Sequence, residues 1–230
     1  MTNYSTKNRE EFIDNFIDRN FDPFKKEYLP DLNSLLEIIK NQGEPLEGNI
    51  FYRHHEDNPT ANLIPDFLPK RRALALLGMM NNNIMEIGFN AGFSALLLLH
   101  SNKNLKLTCI DICQHKYTVP CFEYLKSKFG DRIELIQSDS LLAFPLLSRT
   151  AIEYDAYIID GGHGVSLAEA DLHNVISIGK RGSIICFDDS DDPKLRTMLN
   201  MHQLTGKLIS ISDGIGYIEN LRQMFFVNNK

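Results

Sequence analysis

The sequence predicts an α/β protein: a doubly wound, mostly parallel sheet of seven strands that ends in an antiparallel hairpin, preceded by N-terminal helices. Three observations carry that prediction. From residue 84 onward, short apolar runs alternate with segments of helical periodicity, the pattern of a parallel sheet with helices on its faces. The runs are almost continuously apolar, as in strands buried on both sides. After the fifth run, "KLISISD" and "IGYIEN" flank Asp213-Gly214, a dipeptide that favours a hairpin turn.

Taken in order, the region to about residue 45 spaces its apolar residues at helical intervals. Phe12, Phe16 and Ile17 form one stripe, and Leu32, Leu35, Leu36 and Ile39 another. Residues 43–69 contain several Gly and Pro and are long for a structureless connection, so they are expected to act as a lid or binding segment. Tyr52, Arg53, His54 and His55 fall there. Adjacent histidines point apart in any regular element, which argues against a joint metal site and leaves lid contacts or solvated loop positions. A helix over 70–80 leads to a turn at Asn81, Asn82 and Asn83. Strands follow at "IMEIG", "LKLTCIDI", "RIELIQSD", "YDAYIID" and "GSIICFDD", with helices over 94–100, 119–129, 141–147, 165–178 and 193–204. The chain therefore divides into an N-terminal helical and lid part, 1–69, and a sheet domain, 70–230.

Composition narrows the function. The 230 residues are 43% hydrophobic and 23% charged, enough for a sizeable buried core. A net charge of −6 disfavours a general nucleic-acid binder, which needs a basic face. No apolar stretch approaches the roughly 20 residues that span a bilayer. The start, "MTNYSTKNREEF", lacks the apolar core of a secretory signal. A cytoplasmic protein that engages neither membrane nor nucleic acid is expected. The four cysteines match no metal spacing, and Cys109 and Cys186 read as small hydrophobes inside buried strands.

In a doubly wound sheet, ligands bind beyond the carboxyl ends of the strands. Those ends carry Glu86, Asp111, Asp139, Asp160, and Asp188 with Asp189. Crowded carboxylates need a cation, hydroxyl groups or amines to answer them. In "EIGFNAGFS", Gly88 and Gly92 let the backbone turn tightly and approach a ligand, while the next helix starts with free N–H groups. Asp111 follows about two dozen residues later, where an acid bonds ribose hydroxyls. The spacing is Gly-x-x-x-Gly, with Asn90 inside it, which departs from the dinucleotide fingerprint and disfavours an NAD-dependent oxidoreductase. The plainer alternative is a turn that serves packing alone.

"EIGFNAGFS", "CIDI", "IQSDS", "YDAYIIDGGH" and "GSIICFDDS" resemble the successive motifs of class I S-adenosylmethionine-dependent methyltransferases, over about 70–220. "DGGH" followed by "FDD" is similar to the small-molecule O-methyltransferases of the catechol and caffeoyl-CoA type, and to their bacterial Asp-Gly-Gly-His relatives. The resemblance implies a Rossmann-like methyltransferase fold, S-adenosyl-L-methionine as cofactor, and methyl transfer to a hydroxyl of a small molecule with help from a divalent cation.

It also implies roles. The loop Gly88, Phe89, Asn90 and Gly92, with Ser94, would hold the methionine end of the cofactor above Glu86. Asp111, beside Ile112, would take the ribose hydroxyls, and Asp139 and Ser140 would flank the adenine. Asp160, also at the cofactor, would hold Mg²⁺ (or Mn²⁺ or Ca²⁺) together with Asp188 and Asp189. The catechol-type enzymes usually have Asn at the third position, so Asp189 is a departure. His163 stands where those enzymes have a catalytic lysine. Its imidazole suits a base near neutral pH, working beside Asp160, whereas the alternative is a helix cap. A homodimer through the N-terminal region fits the same family. A non-catalytic cofactor-binding domain would not require Asp160, His163, Asp188 and Asp189 together. A nucleic-acid methyltransferase is disfavoured by the acidic balance and by the lack of an Asn-Pro-Pro-Tyr-type motif.

Overall fold

The computed structural model describes residues 22, 24–48, 50–51, 67–150, 152–162, 164–211 and 222–230. Helices α1 (Lys25–Gln42) and α2 (Leu68–Met80) come first. Five strand–helix units follow: β1 (Asn83–Ile87) and α3 (Phe93–Ser101), β2 (Lys106–Asp111) and α4 (Thr118–Phe129), β3 (Ile133–Gln137) and α5 (Ser140–Leu147), β4 (Ala156–Ile159) and α6 (Val165–Ile178), and β5 (Ile184–Phe187) and α7 (Pro193–Leu204). Strands β6 (Leu208–Ser210) and β7 (Met224–Asn228) complete the sheet.

The strand order is β3-β2-β1-β4-β5-β7-β6. The first five strands pair in parallel, and β7 runs antiparallel to both β5 and β6. The order reverses at β1, which has β2 on one side and β4 on the other, so a crevice opens where the connections diverge.

Period-two alternation sends the apolar side chains of each strand to both faces. Ile84, Leu107, Ile158, Cys186 and Phe225 pack with α1 to α4 through residues such as Leu35, Leu74, Leu96 and Leu125. Met85, Ile110, Tyr157, Ile185 and Phe226 pack with α5 to α7 through Phe144, Leu172 and Leu199. Two apolar layers on one sheet explain the nearly unbroken apolar runs. Cys109, Cys121 and Cys186 are buried free thiols within this packing. No described helix is long and apolar enough to cross a membrane.

The end of the sheet departs from the sequence reading. Strand β6 lies within "KLISISD", but its partner is "MFFVN", with Leu208 opposite Asn228 and Ser210 opposite Phe226. Strand β7 sits between two neighbours and must be apolar on both faces, which Phe225 and Phe226 satisfy and which "IGYIEN", with its Gly, Glu and Asn, does not. Asp213-Gly214 and "IGYIEN" lie outside the described residues, as do Phe12, Phe16, Ile17 and the Tyr52–His55 group. The second N-terminal stripe forms α1, with Leu32, Leu35, Leu36 and Ile39 all buried.

Candidate functional site: an acidic cavity at the β1–β4 crevice

A cavity of about 1120 Å³ opens at the carboxyl ends of the parallel strands. Its wall takes residues from the loops after β1 to β5, from residues 44–48 and 50, and from Lys70 on α2.

The turn after β1 is governed by packing. Gly88 has φ +94°, and a Cβ there would stand 1.9 Å from the carbonyl oxygen of Asp160. Gly92 has φ +75°, and its Cβ would meet the Phe89 ring at 2.6 Å and Leu125 at 2.9 Å. Both glycines are thus required by the protein's own contacts, and of the two only Gly88 lies on the cavity wall. The packing and binding readings meet at Gly88, because the missing Cβ is what lets the tip of β4 bring Asp160 beside the turn.

Asn90 adopts φ +50°, and its backbone N–H donates to Asp111 Oδ2 at 2.8 Å. The Cys113 N–H donates to Asp111 Oδ1 at 2.6 Å. The carboxylate is therefore fixed at the cavity wall with lone pairs to spare. Tyr117 donates its hydroxyl to Asn90 Oδ1 at 2.7 Å, and the Asn90 amide donates to the Glu47 carbonyl. His115 lies between the carboxylates of Glu44 and Glu47, 2.8 Å from each, and stacks on Tyr117. Residues 44–48 are thereby tied to the turn after β1.

Glu86 is fully buried on β1 and does not reach the wall. The hydroxyl of Ser94, which does, donates to it from above, and the Cys109 thiol donates at 3.5 Å. Burial pushes its carboxyl up to about 7. Phe89 is on the wall but packs edge-on against Phe122, and Ile112 stands 54% exposed at the rim. Asp139 caps α5 by accepting from the Leu141 N–H at 2.8 Å, with Ser140 beside it on the wall. Burial raises the carboxyl of Asp171 on α6 against a hydrogen bond from Ser140, and its Oδ1 has no partner among the described residues.

Asp160, Asp188 and Asp189 meet the cavity at the tips of β4 and β5, but two cations already answer them. Lys70 Nζ donates to Asp188 Oδ2, and the lysine is only 9% exposed. Arg222 pairs with Asp189 at 2.6 Å and donates to Asp191 Oδ1 at 3.2 Å. Burial, then the adjacent Asp188, pushes the Asp160 carboxyl well above the usual range, against the pull of Lys70. Asp188 Oδ1 is buried without a partner among the described residues. No group of three or more His, Cys, Asp or Glu among the described residues is placed to hold a metal ion. Of the three aspartates expected to hold a cation, Asp188 is engaged by Lys70 and Asp189 by Arg222. His163 lies outside the described residues.

Sequence reasoning missed Lys70, Arg222 and the Glu44–His115–Glu47 group. Nothing local to "KRR" at 70–72 tells that all three side chains are buried. Only the apolar surroundings, "FLP" before and "ALALL" after, hinted that this helix turns inward.

Residues 85–190 match the family model described as a methyltransferase domain. Over that stretch, a little under half of its length, the chain is similar to methyltransferase domains. Solved structures share its fold. An O-methyltransferase from Bacillus cereus in complex with SAH is 15% identical, with 87% of this chain and 91% of that one covered, at a TM-score of 0.61. The O-methyltransferase TomG from Streptomyces achromogenes, involved in tomaymycin synthesis and in complex with SAM, is 14% identical over 89% and 90%, at 0.58. The N-methyltransferase NodS from Bradyrhizobium japonicum, with S-adenosyl-l-homocysteine, is 16% identical over 84% and 99%, at 0.52. None of the curated proteins matches the chain. At such identities the shared feature is the fold, which serves oxygen and nitrogen acceptors alike.

Proposed function

We propose that this methyltransferase moves a methyl group from S-adenosylmethionine to a hydroxyl of a small molecule. The observation that carries the reading is the convergence of Gly88, Asp111, Ser140 and Asp160 on one cavity at the point where the strand order reverses. The two O-methyltransferases of the same fold, solved with SAH and SAM, support the choice of cofactor and of an oxygen acceptor.

The cofactor, when bound, supplies a methyl group already activated on a sulfonium sulfur. The chain's part is to bind, orient and remove a proton. Asp111, held by two backbone donors, accepts from the ribose hydroxyls. Ser94 with Gly88, Phe89 and Asn90 holds the methionine end, in a turn whose close packing needs Gly92, and Asp139 and Ser140, with Ile112 at the rim, frame the adenine. The acidic rim favours a positively charged ligand. The cavity exceeds the usual size of a single-ligand site, leaving room for an acceptor toward residues 44–48, Ile50 and Lys70. Residues 1–69 form the acceptor-side part of the protein in this reading. Asp160 would orient the acceptor hydroxyl, and His163, three residues along the chain, would take its proton, the sulfonium donor supplying the methyl and leaving as the neutral thioether. Alignment of that oxygen with the methyl group supplies much of the rate. The reading needs no divalent cation, since Lys70 and Arg222 already engage Asp188 and Asp189. The reading takes the protein as cytoplasmic and acting on a free small molecule, and it accommodates a homodimer through the N-terminal region.

Calorimetric titration is expected to show S-adenosylmethionine and its demethylated product binding in preference to NAD. Radiolabelled transfer to a panel of phenols, sugars and macrolide-like alcohols then tests the acceptor class. Preferential NAD binding, or transfer only to amines, would overturn the reading.

A further inference from the structure

Three carboxylates at the tips of β4 and β5 repel one another unless positive charge is placed among them. The chain supplies that charge itself. Lys70 is carried by the first turn of α2, distant in sequence from the acids it meets. Its ammonium donates to Asp188, which is only 5% exposed, and Asp160 lies close enough for its charge to act on the lysine. Arg222, from the segment before β7, meanwhile engages Asp189 and Asp191. Asp189 thus has a cation of its own, while its charge still acts on Asp160.

A buried ion pair is poor at stabilising a fold, since well-packed apolar residues in its place often do as well or better. A buried lysine that also faces the cavity is better explained by what it does there. An ammonium has three donors, and Asp188 takes one. The others remain for Asp160 or for an oxygen in the cavity, where a fixed positive charge stabilises the negative charge that develops as a hydroxyl loses its proton.

We propose that Lys70 is the resident cation of this site, its ammonium standing between Asp188 and the cavity in place of a divalent ion, so that the protein binds no such ion there. The inference rests on the methyl-transfer reading above for its chemical meaning, but metal binding can be measured without any transfer.

The test is titration of the full-length protein with Mn²⁺, followed by loss of the free-ion paramagnetic resonance signal. The wild type is expected to leave the signal unchanged. Lys70→Ala, freed of the competing charge, is expected to take up one Mn²⁺ at least roughly tenfold more tightly than wild type, and to lose it again when Asp188→Asn is added. Calorimetric binding of S-adenosylmethionine checks that each variant is folded, and Lys70→Met, of similar volume, replaces Lys70→Ala if the latter is not. Stoichiometric Mn²⁺ uptake by the wild type, abolished by Asp188→Asn, would overturn the proposal. So would a folded Lys70 variant that gains no affinity for Mn²⁺. Failure of the wild type to bind S-adenosylmethionine would instead remove the methyl-transfer reading, while the Mn²⁺ result still decides the role of Lys70.

Discussion

The backbone N–H of Asn90 donates to Asp111 Oδ2 at 2.8 Å, so the turn after β1 and the last residue of β2 form one unit. The other carboxylate oxygen accepts from the Cys113 N–H. An Asp111→Asn side chain has one acceptor oxygen where two are needed, and its amide would confront a backbone donor. Losing a charge-assisted contact of this kind costs about 1.5–3 kcal/mol. Affinity for S-adenosylmethionine is expected to fall about 10- to 100-fold by calorimetry. Undiminished affinity would remove Asp111 from the ribose site.

Glu86 makes stability depend on pH. Burial raises its carboxyl from an ordinary 4.5 to about 7 in the folded chain. Below the lower value both states hold the proton. As pH rises between the two values, the unfolded chain releases it while the folded chain keeps it, so stability falls until both have ionised. The loss is about 3 kcal/mol at most and is complete above the folded value. Glu86→Gln keeps the contacts with Ser94 and Cys109 within reach without a titrating group. Urea unfolding at about pH 5 and pH 8 is therefore expected to show a smaller drop for the variant than for wild type. Equal drops would assign the titration to another group.

Gly88 joins two strand tips by what it lacks. A Cβ 1.9 Å from the Asp160 carbonyl oxygen cannot be relieved by a side-chain rotation, because the obstacle is backbone, and φ +94° is unfavourable for alanine as well. Gly88→Ala is expected to destabilise the fold by several kcal/mol, on the order of 3 or more. Gly130→Ala serves as the control, since a positive φ recurs there but nothing lies within 4 Å of the added carbon. Thermal unfolding that ranks the two variants equally would show that φ strain, not the Asp160 contact, sets the cost.

How far the sequence could be read follows from the range over which each signal acts. Strands β1 to β5 and helices α2 to α7 were legible because periodicity and terminal residues such as Asp139 and Pro193 are local. The rim of Asp111, Asp139, Asp160, Asp188 and Asp189 was legible too, because parallel strands in one sheet end on the same side. Glu86 was only half legible: it stands one residue before the end of β1, and alternation turns its side chain into a core layer behind Ser94. The role of Lys70 depends on Asp188, which no local pattern connects to it. The last strand was misplaced because "IGYIEN" and "MFFVN" are both strand-like, and only the two-sided burial of β7 separates them.

Asp31 ties the N-terminal helix to the sheet domain. From α1 it accepts from the Tyr124 hydroxyl at 2.7 Å and lies 3.0 Å from His100 Nε2 and 3.2 Å from Lys128 Nζ, so one carboxylate links α1, α3 and α4. Burial would raise its carboxyl, but these three partners outweigh burial and hold it below the ordinary aspartate value. A depressed carboxyl stabilises the fold at neutral pH, and the contribution disappears as pH falls through the folded value. Asp31→Asn keeps the volume but presents an amide to donors that need an acceptor. It is expected to cost about 1–3 kcal/mol at neutral pH. Chemical unfolding of the two proteins should converge as pH is lowered, because protonation then takes from the wild type what the substitution has already removed. A gap that stays constant down to about pH 3 would mean that shape, not charge, holds α1 in place.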